Sequence, residues 1–166
     1  MTFDLASAYR SYHGSLVRML WRRTGDRDRA EDLAHEAFAR AAASPPVNPR
    51  PWLFAVALNL VREEGRRAAI RSRRLELYRA EGPQAVPGPD EGVERDERVA
   101  RVRRALLQLA DRDRELLLLK AEGFTYDEIA GTLGLARGAV GTTLSRARKR
   151  LVEAYHRQEG GRDAAS

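Results

Sequence analysis

The stretch Gly123-Phe124-Thr125-Tyr126-Asp127-Glu128-Ile129-Ala130-Gly131-Thr132-Leu133-Gly134-Leu135-Ala136-Arg137-Gly138-Ala139-Val140-Gly141-Thr142-Thr143-Leu144-Ser145-Arg146-Ala147-Arg148-Lys149-Arg150 decides the fold. Thr125 stands where a helix wants an N-cap oxygen, and Ile129, Ala130 and Leu133 give a short helix from Tyr126 to about Leu133 one apolar face. Gly134 falls where a tight turn needs positive φ. Leu135 anchors that turn, and Val140, Leu144, Ala147 and Leu151 follow at spacings of four, three and four, the face of a longer helix. Helix, glycine turn, helix is the helix-turn-helix arrangement. Arg137, Arg146, Arg148, Lys149 and Arg150 decorate the second helix, and no acid lies between 137 and 150. An α-helix fits the major groove of B-DNA, where cations neutralise phosphates and polar side chains reach base edges. The competing reading is a helical hairpin with a solvated basic face. The turn glycine, the small Ala130 and the acid-free helix together favour DNA contact.

The rest of the chain also reads as helix. Leu5, Ala8, Tyr9, Tyr12, Leu16, Met19 and Leu20 make one stripe, with Gly25 as a stop. Asp28 and Glu31 form a capping-box-like start for a second helix with Ala30, Leu33, Ala34, Ala37, Phe38 and Ala41 inward. Ser44-Pro45-Pro46 ends it. Pro51 opens a third, whose face is Trp52, Leu53, Val56, Ala57, Leu60 and Val61, and helix continues into Arg62–Arg74. Val99, Val102, Ala105, Leu106 and Leu109 mark a fourth, and Arg114–Ala121 a fifth. No alternating strand pattern stands out, so the fold class is all-α.

Between these blocks, residues 81–92 hold three Pro and three Gly with little to bury, a linker composition. The domains expected are 1–80, a flexible acidic linker 81–97, a helix-turn-helix domain 98–158 and a disordered tail 159–166. The net charge is +6. Its distribution says more: residues 61–80 carry seven Arg against three Glu, 81–98 six acids against two Arg, and 131–166 seven cations against three acids. Two basic blocks separated by an acidic one suggest two contacts with a polyanion. Only Lys120 and Lys149 among the 30 cations are lysine, a skew that GC-rich coding also produces. There is no Cys, and His13, His35 and His156 are scattered, so no metal and no cofactor are expected. No secretory signal and no apolar run of membrane-spanning length is read, and the chain is expected in the cytoplasm without membrane insertion.

Three segments in this order resemble the sigma factors of RNA polymerase, in the extracytoplasmic-function (ECF) group of the sigma-70 family. Asp32-Leu33-Ala34-His35-Glu36-Ala37-Phe38 is similar to the region-two motif that docks on core RNA polymerase. Pro51-Trp52-Leu53-Phe54-Ala55-Val56-Ala57-Leu58-Asn59 with Arg66-Arg67 is similar to the segment that opens and reads the −10 element. Leu109–Arg150 is similar to region four, which reads the −35 element. The resemblance covers about residues 4–157.

The resemblance implies that Asp32, His35 and Glu36 bind core polymerase. It assigns Trp52, Asn59, Arg62, Arg66, Arg67 and Arg71 to −10 DNA, and Thr125, Arg137, Thr142, Thr143, Ser145, Arg146, Arg148 and Lys149 to −35 DNA. On pattern alone Trp52 favours the core over a wedge against an unstacked base, and Asn59 either ties helices together or meets a flipped base. An anti-sigma partner is a family expectation. His35 replaces the usual Gln, Leu58 a common Arg, and Ala136 with Gly138-Ala139-Val140-Gly141-Thr142-Thr143 replaces Ser followed by Gly-Thr-Val-Lys-Ser-Arg. Two other functions compete with a transcription initiation factor. A stand-alone helix-turn-helix regulator does not need the 28–67 segment. A metal-carboxylate nuclease at Asp26, Asp28, Glu31 and Asp32 is less economical than ordinary helix-start acids, so no enzyme is expected.

Overall fold

The computed structural model describes residues 2–76 and 95–163. Seven helices and no strand occur among the described residues: α1 (Leu5–Thr24), α2 (Arg27–Ala43), α3 (Pro49–Glu76), α4 (Arg95–Leu107), α5 (Asp111–Ala121), α6 (Tyr126–Leu133) and α7 (Arg137–Asp163). The all-α expectation stands. Two compact units divide the chain, one holding α1 through Leu20 with α2 and α3, the other holding α4–α7. Most of the expected linker lies outside the described residues, but α4 begins at Arg95, inside its C-terminal end.

In the N-terminal unit, Ala8, Leu16, Met19 and Leu20 of α1 and Ala30, Leu33, Ala34, Ala37, Phe38 and Ala41 of α2 are all buried. Four alanines on the inner face of α2 allow close helix approach. From α3 come Leu53, Phe54, Ala57, Leu58, Leu60 and Val61. Phe54 and Leu58 are core residues that the sequence reading left out, whereas Trp52 and Val56 are only half-buried. The inner stripe of α3 is therefore rotated toward Phe54 and Leu58. Two helix starts also move. Asp26 caps α2 rather than Asp28, because Gly25 at φ +75° leaves the next residue extended, and the Asp26 carboxylate accepts the Arg29 amide at 3.1 Å. The third helix begins at Pro49, so both Pro49 and Pro51 sit in its first turn, where missing N–H groups cost nothing.

In the C-terminal unit, Ala105, Leu106, Leu109, Leu116, Leu118, Leu119, Phe124, Ile129, Ala130, Val140, Leu144, Ala147 and Ala154 are buried. Val99 and Val102 are exposed, contrary to their expected inward place, and Leu109 follows the end of α4. Arg114, itself buried, closes that end: its guanidinium donates to the carbonyls of Leu106 (2.8 Å), Leu107 (3.0 Å) and Leu109 (2.9 Å). The Leu106 carbonyl also accepts the Leu109 amide at 3.1 Å, so Arg114 completes the last turn rather than standing in for all of it. Burial pushes the Arg114 pKa below its ordinary value. Asp113, also buried, accepts from Arg150 of α7 at 2.6 Å and fastens α5 to α7. The helix α7 continues through Asp163, past the point where a disordered tail was expected at 159. Its last turns are held to α4 by Arg101–Glu159 at 3.0 Å and by Gln158 donating to the Arg101 carbonyl at 3.2 Å.

Candidate nucleic-acid interface

The helix-turn-helix is α6 and α7. Thr125 is the N-cap of α6 in a reciprocal capping box: its hydroxyl accepts the Glu128 amide at 3.2 Å, and the Glu128 carboxylate accepts the Thr125 amide at 2.8 Å. Gly134 closes the helix at φ +66°, ψ +36°, a conformation costing an L-residue roughly 1–2 kcal/mol. The Gly134 and Leu135 amides both donate to the Ala130 carbonyl. Leu133 is only half-buried, so Ile129 and Ala130 carry the inner face of α6.

On α7, Val140, Leu144, Ala147 and Ala154 are buried and Leu151 is half-buried. At about 100° per residue, the direction opposite this core belongs to Gly138, Thr142, Ser145 and Lys149, with Arg146 adjacent. All five are exposed. Thr143 lies nearer the core edge, and its hydroxyl donates to the Ala139 carbonyl at 2.7 Å. The cations divide by partner. Arg137 pairs with Asp127 at 2.6 Å and Arg150 with Asp113, whereas Arg146, Arg148 and Lys149 make no ion pair among the described residues. Thr125 and Arg137 are thus engaged in closing the motif. Thr142, Ser145, Arg146, Arg148 and Lys149 present polar and cationic groups outward.

The second basic element is α3. Beyond Val61 its core contacts end: Arg66, Arg67, Arg71, Arg73 and Arg74 are all exposed, and every residue from 65 to 74 is exposed. An isolated helical stretch this short is marginal in water, so continuity with the packed N-terminal half holds it. Helical phase places Trp52, Asn59, Arg62, Arg66 and Arg73 on one outer line, roughly 30 Å long, while Arg67 and Arg71 turn away from it. Asn59 is exposed and accepts from Arg62 at 2.8 Å, so it ties no helices together. Arg73, at the end of the arginine-rich run 62–74, joins this line by helical phase.

The third predicted group lies on α2. Asp32, His35 and Glu36 are all exposed, and Glu36 pairs with Arg40 at 3.0 Å. Near His35 the structure gathers residues that sequence spacing did not connect. Tyr9 and His13 of α1 stack at 4.3 Å between ring centroids, and the His13 and His35 rings lie 5.6 Å apart.

A helix-turn-helix unit, in one chain with a helical unit whose last helix extends as an exposed basic arm, has the features of a two-domain nucleic-acid-binding protein. Its sequence matches Sigma-70 region 2 over residues 8–71 and Sigma-70, region 4 over residues 100–151. It is 35% identical over 139 residues to the ECF RNA polymerase sigma factor EcfG of Rhodopseudomonas palustris, covering 77% of this chain and 72% of that one. It is 30% identical over 156 residues to the RNA polymerase sigma factor YlaC of Bacillus subtilis, covering 89% and 90%. The solved structure of the sigma factor RpoE with the anti-sigma factor NepR from Bartonella quintana shares the fold, with a TM-score of 0.69 at 24% identity, over 91% of this chain and 96% of that one. The chain belongs to the sigma-70 family, in the ECF group of RNA polymerase sigma factors. It binds core RNA polymerase and directs it to promoter DNA. No helix among the described residues is long and apolar enough to cross a membrane.

Proposed function

We propose that the two units divide promoter recognition between them. The exposed face of α2 at Asp32, His35 and Glu36 docks on core polymerase. The outer line of α3 takes the −10 element, with Arg62, Arg66 and Arg73 on phosphates and Trp52 and Asn59 toward an unpaired base, the groups that stacking and amide readout use. Arg67 and Arg71 add phosphate contacts from the flanks. In α7, Thr142, Ser145 and Arg146 face the major groove of the −35 element, with Arg148 and Lys149 on its phosphates. Thr125, Arg137 and Thr143 serve this surface indirectly, by closing α6 and holding the start of α7. The chain is a specificity subunit with no catalysis of its own, and it works in the cytoplasm where polymerase meets DNA.

One observation carries the reading: the matches to region 2 and region 4 fall in order on the two compact units, each bearing its own exposed cationic surface. Sequestration by an anti-sigma factor fits the same architecture, since the sigma factor RpoE that shares the fold was solved in complex with one. The docking assignment is tested by co-migration of the full chain with core polymerase. Reversing charge at Asp32→Arg or Glu36→Arg should weaken association by roughly tenfold or more, since like-charge contacts at an interface are costly. Unchanged association in both variants would remove this face from the docking surface.

A further inference from the structure

We propose that His13, Glu31 and His35 form a binding site for a divalent metal of the zinc class in the N-terminal unit. In sequence the histidines are 22 positions apart and look unrelated. Folding changes that. Glu31 and His35 stand one turn apart on α2, as residues i and i+4 do, and α1 brings His13 to them. The candidate ligand atoms of all three lie within 4.8 Å of one another. The His13 Nε2 is 3.6 Å from the Glu31 Oε2.

Zinc ligands at about 2.0–2.2 Å in tetrahedral array stand roughly 3.4 Å apart. One pair is already close to that spacing, and rotation of the exposed His35 side chain closes the rest. Two imidazoles and one carboxylate are a donor set for borderline divalent metals, and the remaining coordination positions fall to water.

A second observation points the same way. The Nε2 of His13 is shielded from solvent and makes no hydrogen bond, a costly condition for a polar atom unless something satisfies it. Stacking against Tyr9 and a tilted contact with Phe38, 6.2 Å between centroids, fix the ring that carries this nitrogen. The Tyr9 hydroxyl lies 3.5 Å from the His35 Nε2, within reach of a ligand's outer hydrogen bond. A bound ion would staple α1 to α2. It would also hold the His35 side chain away from the docking face, a consequence that rests on the assignment of His35 to polymerase docking and predicts weaker association with core enzyme in the metal-bound form.

The test uses the untagged full chain, titrated with ZnCl2 by calorimetry and with Co²⁺ by visible absorption. The expected results are one bound ion, an absorption band of low-coordinate Co²⁺, and a melting temperature raised by Zn²⁺. His35→Ala, at an exposed position that cannot threaten folding, and His13→Gln should each weaken binding at least about tenfold. His156→Ala should leave it unchanged. No saturable binding, or equal binding in wild type and His35→Ala, overturns the site. Co-migration with core polymerase is then measured with and without Zn²⁺. Site-dependent binding without loss of association retains the site and overturns the coupling alone, while loss of association that disappears in His13→Gln supports both.

Discussion

Arg146→Ala gives the sharpest reading of the −35 surface, because the structure separates cations of α7 that are available to phosphate from those already engaged. Arg146 is exposed and pairs with no acid among the described residues, whereas Arg150 is spent on the buried Asp113 at 2.6 Å. Each phosphate contact contributes about 0.9 to the slope of log K against log salt. Losing one contact therefore makes affinity about 3.5-fold less sensitive to a fourfold rise in salt, as between 50 and 200 mM. The assay is fluorescence anisotropy of the reconstituted holoenzyme on a labelled promoter duplex over that range. Arg146→Ala should lower the slope by about 0.9, and Arg150→Ala should leave the slope intact while lowering the melting temperature. An unchanged slope in Arg146→Ala, or equal slope losses in both variants, would refute the sorting of these cations by partner.

Three further outcomes follow from the C-terminal unit. Thr125→Ala removes the hydroxyl half of the capping box and should cost about 1 kcal/mol in denaturant unfolding. Arg114→Met removes three hydrogen bonds at the buried end of α4, leaving the Leu106 carbonyl only its Leu109 amide, so a loss of about 3 kcal/mol is expected in the same measurement, more than any single exposed ion pair would give. Gly141→Ala should stabilise the unit by about 1 kcal/mol, since the new Cβ meets only the Tyr126 ring edge at 3.5 Å, an ordinary contact. A destabilised Gly141→Ala would mean that this glycine is needed for its backbone.

The helix-turn-helix was legible in residues because its signals are local. Thr125, Gly134 and the spacing of Val140, Leu144 and Ala147 each act within a turn or two, and all took the places their chemistry predicts. What failed was set by packing at a distance. The stripe of α3 rotated because Phe54 and Leu58 fit the neighbouring helices, leaving Trp52 half-buried, and no single-helix periodicity encodes that choice. Val99 and Val102 had the right spacing for a core but no partner to cover them. In the candidate site, the outward position of Asp32, His35 and Glu36 was readable from the apolar stripe of α2. Which cations are engaged was not, because Asp113 and Asp127 reach Arg150 and Arg137 only after the chain folds. The same holds for His13, which meets His35 through the pairing of α1 with α2.

Run-off transcription from a promoter set, with purified core polymerase and the full chain added separately and together, tests the central claim most directly. The account predicts discrete promoter-initiated transcripts only when both are present, lost when Arg66 and Arg73 are together replaced by Ala. Protection of a duplex site by the chain alone, with no transcript on adding core enzyme, would contradict it.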